Sequence, residues 1–451
     1  MTMSSSVEVF LWPRKVVVCL LYSGLMVGTT HVFIAGPFAY LGYTPRDWTG
    51  VEIVVWVLAV SLLGVINFAR WIYPSQVAYT FLICTIAIPL VSIPVFWGPL
   101  SSSRLIQLQA TTVVTFMVMR ICLAGGRNPV RGLDLPSPAF WTLLAVISII
   151  GLGYLLVSTG LSPHLLSFSD VYEQRDEYAQ SVTSLGSYLV GWIGAGILPT
   201  ILAVGLYKKN RNISLASSAA ILVLYSVTGN KSYVVGIGLT LIAYYLCAES
   251  RRQGYRWFSA LGVLVALGAI FDYLQGGYSL TTLLVRRALA TAGLNTAYYF
   301  DFFSNNPRYG LHQSILSFAG SPPYQLSPPQ LIGVKYYGSS SLAANANLIA
   351  DGYANFGVLG CILMGIVFAL YLRFVDKASK HLPLQVSGPA LTLVLVAAAN
   401  SAALTVLSTH GGLVLLVLML CLPPVVRPSV RQAREHGHGA RGSERRRVAA
   451  P

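Results

Sequence analysis

The chain has 451 residues, 55% of them hydrophobic and 10% charged, with a mean hydropathy of +0.65. Apolar runs near 20 residues long recur along it, which marks a polytopic helical membrane protein and excludes a soluble two-domain enzyme. The net charge of +15 does not point to nucleic acid, because the cations sit in short loops and in a tail rich in Arg, Gly and His.

In chain order, hydropathy places twelve spans: Val16 to Phe38, Val51 to Ala69, Gln76 to Trp97, Leu105 to Leu123, Ala139 to Ser158, Leu185 to Tyr207, Ser214 to Thr228, Ser232 to Ala248, Trp257 to Leu274, Gly352 to Phe374, Pro389 to Leu407 and Gly412 to Val426. With the N-terminus in the cytoplasm, 22 of the 30 Lys and Arg residues fall on the cytoplasmic side. The positive-inside rule then puts both termini inside. The expected class is an all-α polytopic membrane protein. Its organisation is spans one to nine in residues 1–274, a large extracytoplasmic loop in 275–350, the last three spans in 351–426 and a basic disordered tail in 427–451.

The first apolar run is long enough to span and lacks a small-residue cleavage site, so it reads as a retained helix. All six Cys lie in or at the ends of spans without paired ligand spacing, and neither a disulfide framework nor a metal site is indicated. No Walker loop or dinucleotide fingerprint is present, and no cofactor is expected.

Two outward loops hold nearly all the candidate chemistry. In the smaller, residues 160–184, Asp170, Glu173, Arg175, Asp176 and Glu177 crowd into eight residues, with Tyr172 and Tyr178 beside them. That pattern suits a solvated amphipathic turn or a lip for sugar, with ring faces and carboxylates to receive hydroxyl groups. Lys231, in TGNKSY, ends the seventh span on the same side.

The large loop opens with SLTTLLVRRALAT, a helical pattern carrying Arg286 and Arg287. A basic pair on the side that topology disfavours asks for an anionic partner, and guanidinium groups grip phosphate oxygens bidentately. Snorkelling, or pairing with Asp272 or Asp301, is the plainer account of the same residues. Next, LNTAYYFDFFSNNPRYGLHQS, with Tyr299, Asp301 and His312, is rich in aromatic and amide groups that suit a sugar. SPPYQLSPPQ reads as a rigid extended connector. The loop closes on ANANLIADGYANFGVLG, with Asn345, Asn347, Asp351, Tyr353 and Asn355, where Asp351 falls in the first turn of the next helix. Gly352, Gly357 and Gly360 would let that helix approach a neighbour closely.

The Arg-bearing segment, the YYFDFFSNNP stretch and the ANANLIADGYANFG closing motif, set in this architecture, resemble the oligosaccharide repeat-unit polymerases of bacterial surface polysaccharide pathways, the Wzy or O-antigen polymerase family. The resemblance implies a multi-pass protein of the bacterial cytoplasmic membrane. It would move a growing glycan from its undecaprenyl-pyrophosphate carrier to an incoming lipid-linked repeat unit, in company with a flippase and a chain-length regulator. Such chemistry needs the departing diphosphate stabilised, for which Arg286 and Arg287 are suited, with Lys231 as a third cation. It also needs an acceptor for the hydroxyl proton, for which Asp351, Asp301 and His312 are candidates in that order. Arg175, Tyr172, Tyr299, Asn345, Asn347, Tyr353 and Asn355 are the expected substrate contacts. A ligase, passing the finished glycan to another acceptor, would favour His312. A flippase or transporter would carry charge inside its spans, which here read as nearly charge-free apart from Arg120.

Overall fold

The computed structural model describes residues 4–125, 128, 136–160, 171–339 and 342–425, with only the backbone for 4–12, 171–173 and 176. The side chains of Tyr172, Glu173 and Asp176, together with Asp170 and the tail 427–451, lie outside the described residues. The fold is all-α, with no strand among the described residues.

Among the described residues seven helices are long and apolar enough to cross a membrane: Pro13–Ile34, Pro74–Phe96, Ser102–Cys122, Ser137–Thr159, Ser184–Tyr207, Tyr255–Gln275 and Leu348–Ala378. Gly50–Ile66, Ser232–Leu246, Leu384–Ala398 and Gly412–Cys421 are apolar but shorter. Pro74–Phe96 forms the axis of the bundle, since 94% of its most apolar stretch is buried. Ser137–Thr159 and Tyr255–Gln275 instead expose large apolar side chains, among them Ile149, Val157, Leu267 and Leu274, as a helix against lipid would.

Contacts at the helix ends and their connections define two ends of this bundle. At one, Arg46 reaches the carbonyls of Pro94 and Val95, Tyr43 meets Thr291, and Gln174 donates to the Val227 carbonyl. At the other, Lys15 donates to the carbonyls of Val65 and Asn67, Trp71 N–H to Arg252, and Arg373 to Cys122. Charge inside the helices exceeds the expectation, since Glu52, Asp272 and Arg373 also lie within them. Each sits near a helix end and is held by local contacts. Glu52 pairs with Arg46 at 2.7 Å, and Asp272 caps the N–H groups of Leu280 and Thr281.

Three expectations are corrected. Pro389 to Leu407 is not one span: the helix runs Leu384–Ala398, is interrupted near Leu391, and a separate turn of helix follows at Ala403–Ser408. Pro389 removes a backbone donor there, and the irregular stretch that follows is half-buried, with the Thr409 carbonyl against Gly191.

The helical pattern expected at the start of the large loop is present and continues further. Residues 279–305 form one helical run, whose residues Ala292 to Phe300 are all buried. It lies so close to Pro74–Phe96 that a Cβ at Gly293 would stand 2.5 Å from the Pro89 carbonyl oxygen. In SPPYQLSPPQ only the first part is non-helical, because Pro328 and Pro329 start the helix Pro328–Tyr337, where a missing N–H costs nothing.

Finally, Gly352, Gly357 and Gly360 serve a fold-back within their own chain. Leu348–Ala378 breaks at Phe356 and Gly357, the latter at φ 64° and ψ −144°. The two parts close so tightly that a Cβ on Gly360 would fall 2.0 Å from the Gly352 carbonyl oxygen. The Cys361 thiol reaches the Ile349 carbonyl across the fold at 3.3 Å.

Candidate active site

Residues 282–290 wind as a π-helix, carrying both guanidinium groups on one wide turn. Such insertions recur at functional sites because they displace side chains from the α-helical register. Arg286 is turned inward, 9% exposed, with its guanidinium 4.1 Å from the Phe38 ring. Arg287 is half-buried on the same turn. Lys231, which precedes the helix Ser232–Leu246, lies close enough to Arg287 to respond to it. Burial, then the Arg287 charge, holds the Lys231 ammonium below the ordinary lysine value. The three sequence-predicted cations therefore share one neighbourhood.

Around Arg286 stands a wall of phenols and amides. The Tyr43 hydroxyl lies 3.1 Å from that of Thr291, and burial pushes this phenol up to about 12 against the opposing pull of the Thr291 hydrogen bond and Arg286. Tyr337, also raised by burial and within reach of the Arg286 field, donates to the Asn295 amide at 2.7 Å. Asn295 donates in turn to the Asn345 carbonyl. Tyr336 stacks on Tyr298 with centroids 4.3 Å apart and donates to the Asp301 carboxylate.

Asp351 occupies the first turn of the helix that Asn347 caps, and is buried. Its carboxylate accepts the Asn355 amide at 3.1 Å. Arg308 lies over this turn, 5.4 Å from the Tyr353 ring and against Gly357, and it remains exposed.

Several expected substrate contacts belong to this wall instead of its surface. Tyr299 is fully buried and donates to the Ala344 carbonyl. Asn347 donates to Thr296 and accepts the N–H groups of Ile349 and Ala350. Tyr353 stacks on Phe300 at 3.7 Å, and Asn355 bridges Asp351 to Leu311 and Gln313. The polar groups of Tyr299, Asn347 and Asn355 are taken by the chain itself, and the Tyr353 ring is covered by Phe300. Asn345 and Arg175 are exposed. His312 stands apart: its ring packs between Gly310 and Gly320 and makes no hydrogen bond among the described residues.

Sequence reasoning gave Arg308 no role and passed over Tyr43, Tyr336 and Tyr337. The KYYG run ahead of the ANAN motif was the available signal for the two tyrosines of Pro328–Tyr337. Chemically, the arrangement offers a cluster of cations able to hold oxyanions, a buried carboxylate beyond it and hydroxyl and amide groups between. No group of three or more His, Cys, Asp or Glu side chains is placed to hold a metal among the described residues. Compared with family models, characterised proteins and solved structures, the chain has no match.

Proposed function

We propose that this protein is a membrane-embedded glycosyltransferase that polymerises undecaprenyl-pyrophosphate-linked oligosaccharide repeat units at the outer face of a bacterial cytoplasmic membrane. The reading takes the chain to cross the membrane twelve times, with both termini inside. The observation that carries it is the gathering of Arg286, Arg287 and Lys231 at one end of an apolar bundle. Three cations on the side where topology does not call for them suit a lipid pyrophosphate, whose charge grows as the sugar departs.

The donor diphosphate rests against Arg287 and Lys231, with Arg286 behind them. The glycosidic carbon is attacked by a hydroxyl of the incoming unit, and the bond to the phosphate oxygen breaks. The proton passes to a carboxylate, Asp351 by its burial beside exposed Arg308, or Asp301 through Tyr336. Tyr299, Asn347, Tyr353 and Asn355 hold that wall in shape, and exposed Asn345 and Arg175 are left to meet the glycan.

The test is the lipid-linked glycan profile of a deletion strain. Accumulated single repeat units at the outer face support polymerisation. Full-length chains left on their carrier would indicate a ligase, and units trapped at the cytoplasmic face a flippase.

A further inference from the structure

At the end of the bundle opposite the candidate active site lies an open cleft of about 650 Å³. Four separate connections supply its polar lining: Arg70, Tyr207, Glu249, Ser250, Arg252 and Gln385. The floor is tied together by backbone. Arg70 bridges to Gln253, Trp71 N–H donates to the Arg252 carbonyl at 2.9 Å, and Gly254 N–H donates to Ala69 at 3.0 Å.

That frame aims one guanidinium. Arg252 Nε donates to the Cys247 carbonyl at 3.0 Å, leaving the fork of terminal nitrogens to point elsewhere. Neither those nitrogens nor the guanidinium of Arg70 hydrogen-bonds to another residue among the described residues, and Glu249 forms no ion pair there. The lining thus holds two cations against one carboxylate. A monoanionic phosphate diester suits it better than a dianionic phosphate or a polyphosphate, which would face repulsion from Glu249. Beside Arg70, Ile72 exposes apolar surface, 65% accessible. Apolar surface next to a phosphate-holding fork fits an amphiphile at a membrane surface.

We infer that this cleft is a phosphodiester site that takes the headgroup of a glycerophospholipid, with Arg70 and Arg252 on the phosphate and Ser250 and Gln385 as further donors. The inference is independent of the proposed enzymatic activity.

The test uses the full chain purified in a neutral detergent and titrated with short-chain phosphatidylglycerol, with inorganic phosphate as a competitor. The double substitution R70Q/R252Q is expected to weaken binding by about tenfold or more, since it removes both charged forks. E249Q should tighten binding, and R251Q, which alters only the cation over Tyr245, should leave it unchanged. Gel-filtration profile and helix content of each variant, measured alongside, separate loss of the site from loss of the fold. Unchanged binding in a folded R70Q/R252Q protein would overturn the site. Competition by inorganic phosphate at concentrations like those of the lipid would overturn the lipid assignment in favour of a soluble phosphate.

Discussion

Asn355 donates its side-chain amide to the Asp351 carboxylate at 3.1 Å, while its own amide oxygen accepts the N–H of Leu311 at 2.8 Å. One side chain thereby fixes the buried carboxylate of a helix and the loop that crosses above it, where Leu311 holds a left-handed φ of 64°. Such a conformation in a non-glycine residue persists only when its surroundings impose it. Asn355→Ala leaves Asp351 and the Leu311 N–H without this partner, each loss costing about 1–3 kcal/mol. The expected outcome is a lower melting temperature in detergent and shorter glycans. Asn355→Asp keeps the acceptor for Leu311 but sets two carboxylates against each other, and is expected to be worse for chain length than for stability. An Asn355→Ala protein with wild-type melting and chain length would remove the residue from this role.

The two arginines are separable by burial. Arg287 is half-exposed, so Arg287→Ala is expected to slow polymerisation about a hundredfold, equivalent to roughly 3 kcal/mol, at unchanged melting temperature. Arg286→Ala should match that loss and also destabilise the fold by about 1 kcal/mol, because the contact with Phe38 goes with it. Lysine should rescue each only in part, lacking the bidentate fork. Wild-type chain lengths in both single variants and the double variant would move the site to Asp351 and the acidic loop.

Lys231 gives the site a pH signature. Burial and Arg287 hold its ammonium below the ordinary lysine value, so its charge is present at low pH and is lost as pH rises through that lowered value. Polymerisation measured in membrane vesicles should therefore fall on the alkaline side. Lys231→Arg stays charged across that range and should carry the alkaline limb to higher pH. Identical limbs in the two proteins would show that this cation does not meet the donor.

The long helices were legible because an uninterrupted run of apolar residues satisfies its own backbone and has few alternatives. Residues 279–305 were legible as helix only over SLTTLLVRRALAT; that the run continues through YYFDFF and is buried in the bundle was not, for the opposite reason. Their amides, phenols and hydroxyls look water-seeking in sequence, yet Asn295, Thr296 and Tyr299 find partners 42 to 51 residues away. The small residues of TAGLNTA, which admit the helix against Pro74–Phe96, were the visible hint. Of the site, Arg286, Arg287 and Asp351 could be read from charge alone, because charge is scarce in this chain. The approach of Lys231 to Arg287 depends on tertiary packing and leaves no local mark.

The fold-back at Phe356 and Gly357 is open to a direct test of backbone geometry. Gly357→Ala places a Cβ at positive φ and 3.0 Å from the Arg308 guanidinium carbon, and should cost on the order of 1–3 kcal/mol. Gly360→Ala is expected to be far more damaging, since its Cβ would meet a carbonyl oxygen of the backbone, which cannot rotate away as a side chain does. Folded yield by fluorescence-detected gel filtration checks the order. Equal yields for the two variants would mean that the helix runs straight through this point.

Topology is the premise on which an outward-facing site stands, and two exposed positions at opposite ends of the bundle test it. Ser327 caps the helix Pro328–Tyr337 through Gln330, and replacing such an exposed cap costs about 1 kcal/mol, which leaves the fold intact. Lys380 follows the last long span at the other end. With partly exposed Cys122 and Cys421 changed to Ser, S327C should react with an impermeant thiol reagent in intact cells stripped of any outer-membrane barrier, and K380C only after lysis. The reverse pattern would place Arg286, Arg287 and Lys231 in the cytoplasm. The three cations would then be where the positive-inside rule expects cations, and they would no longer argue for a lipid pyrophosphate on the outer face.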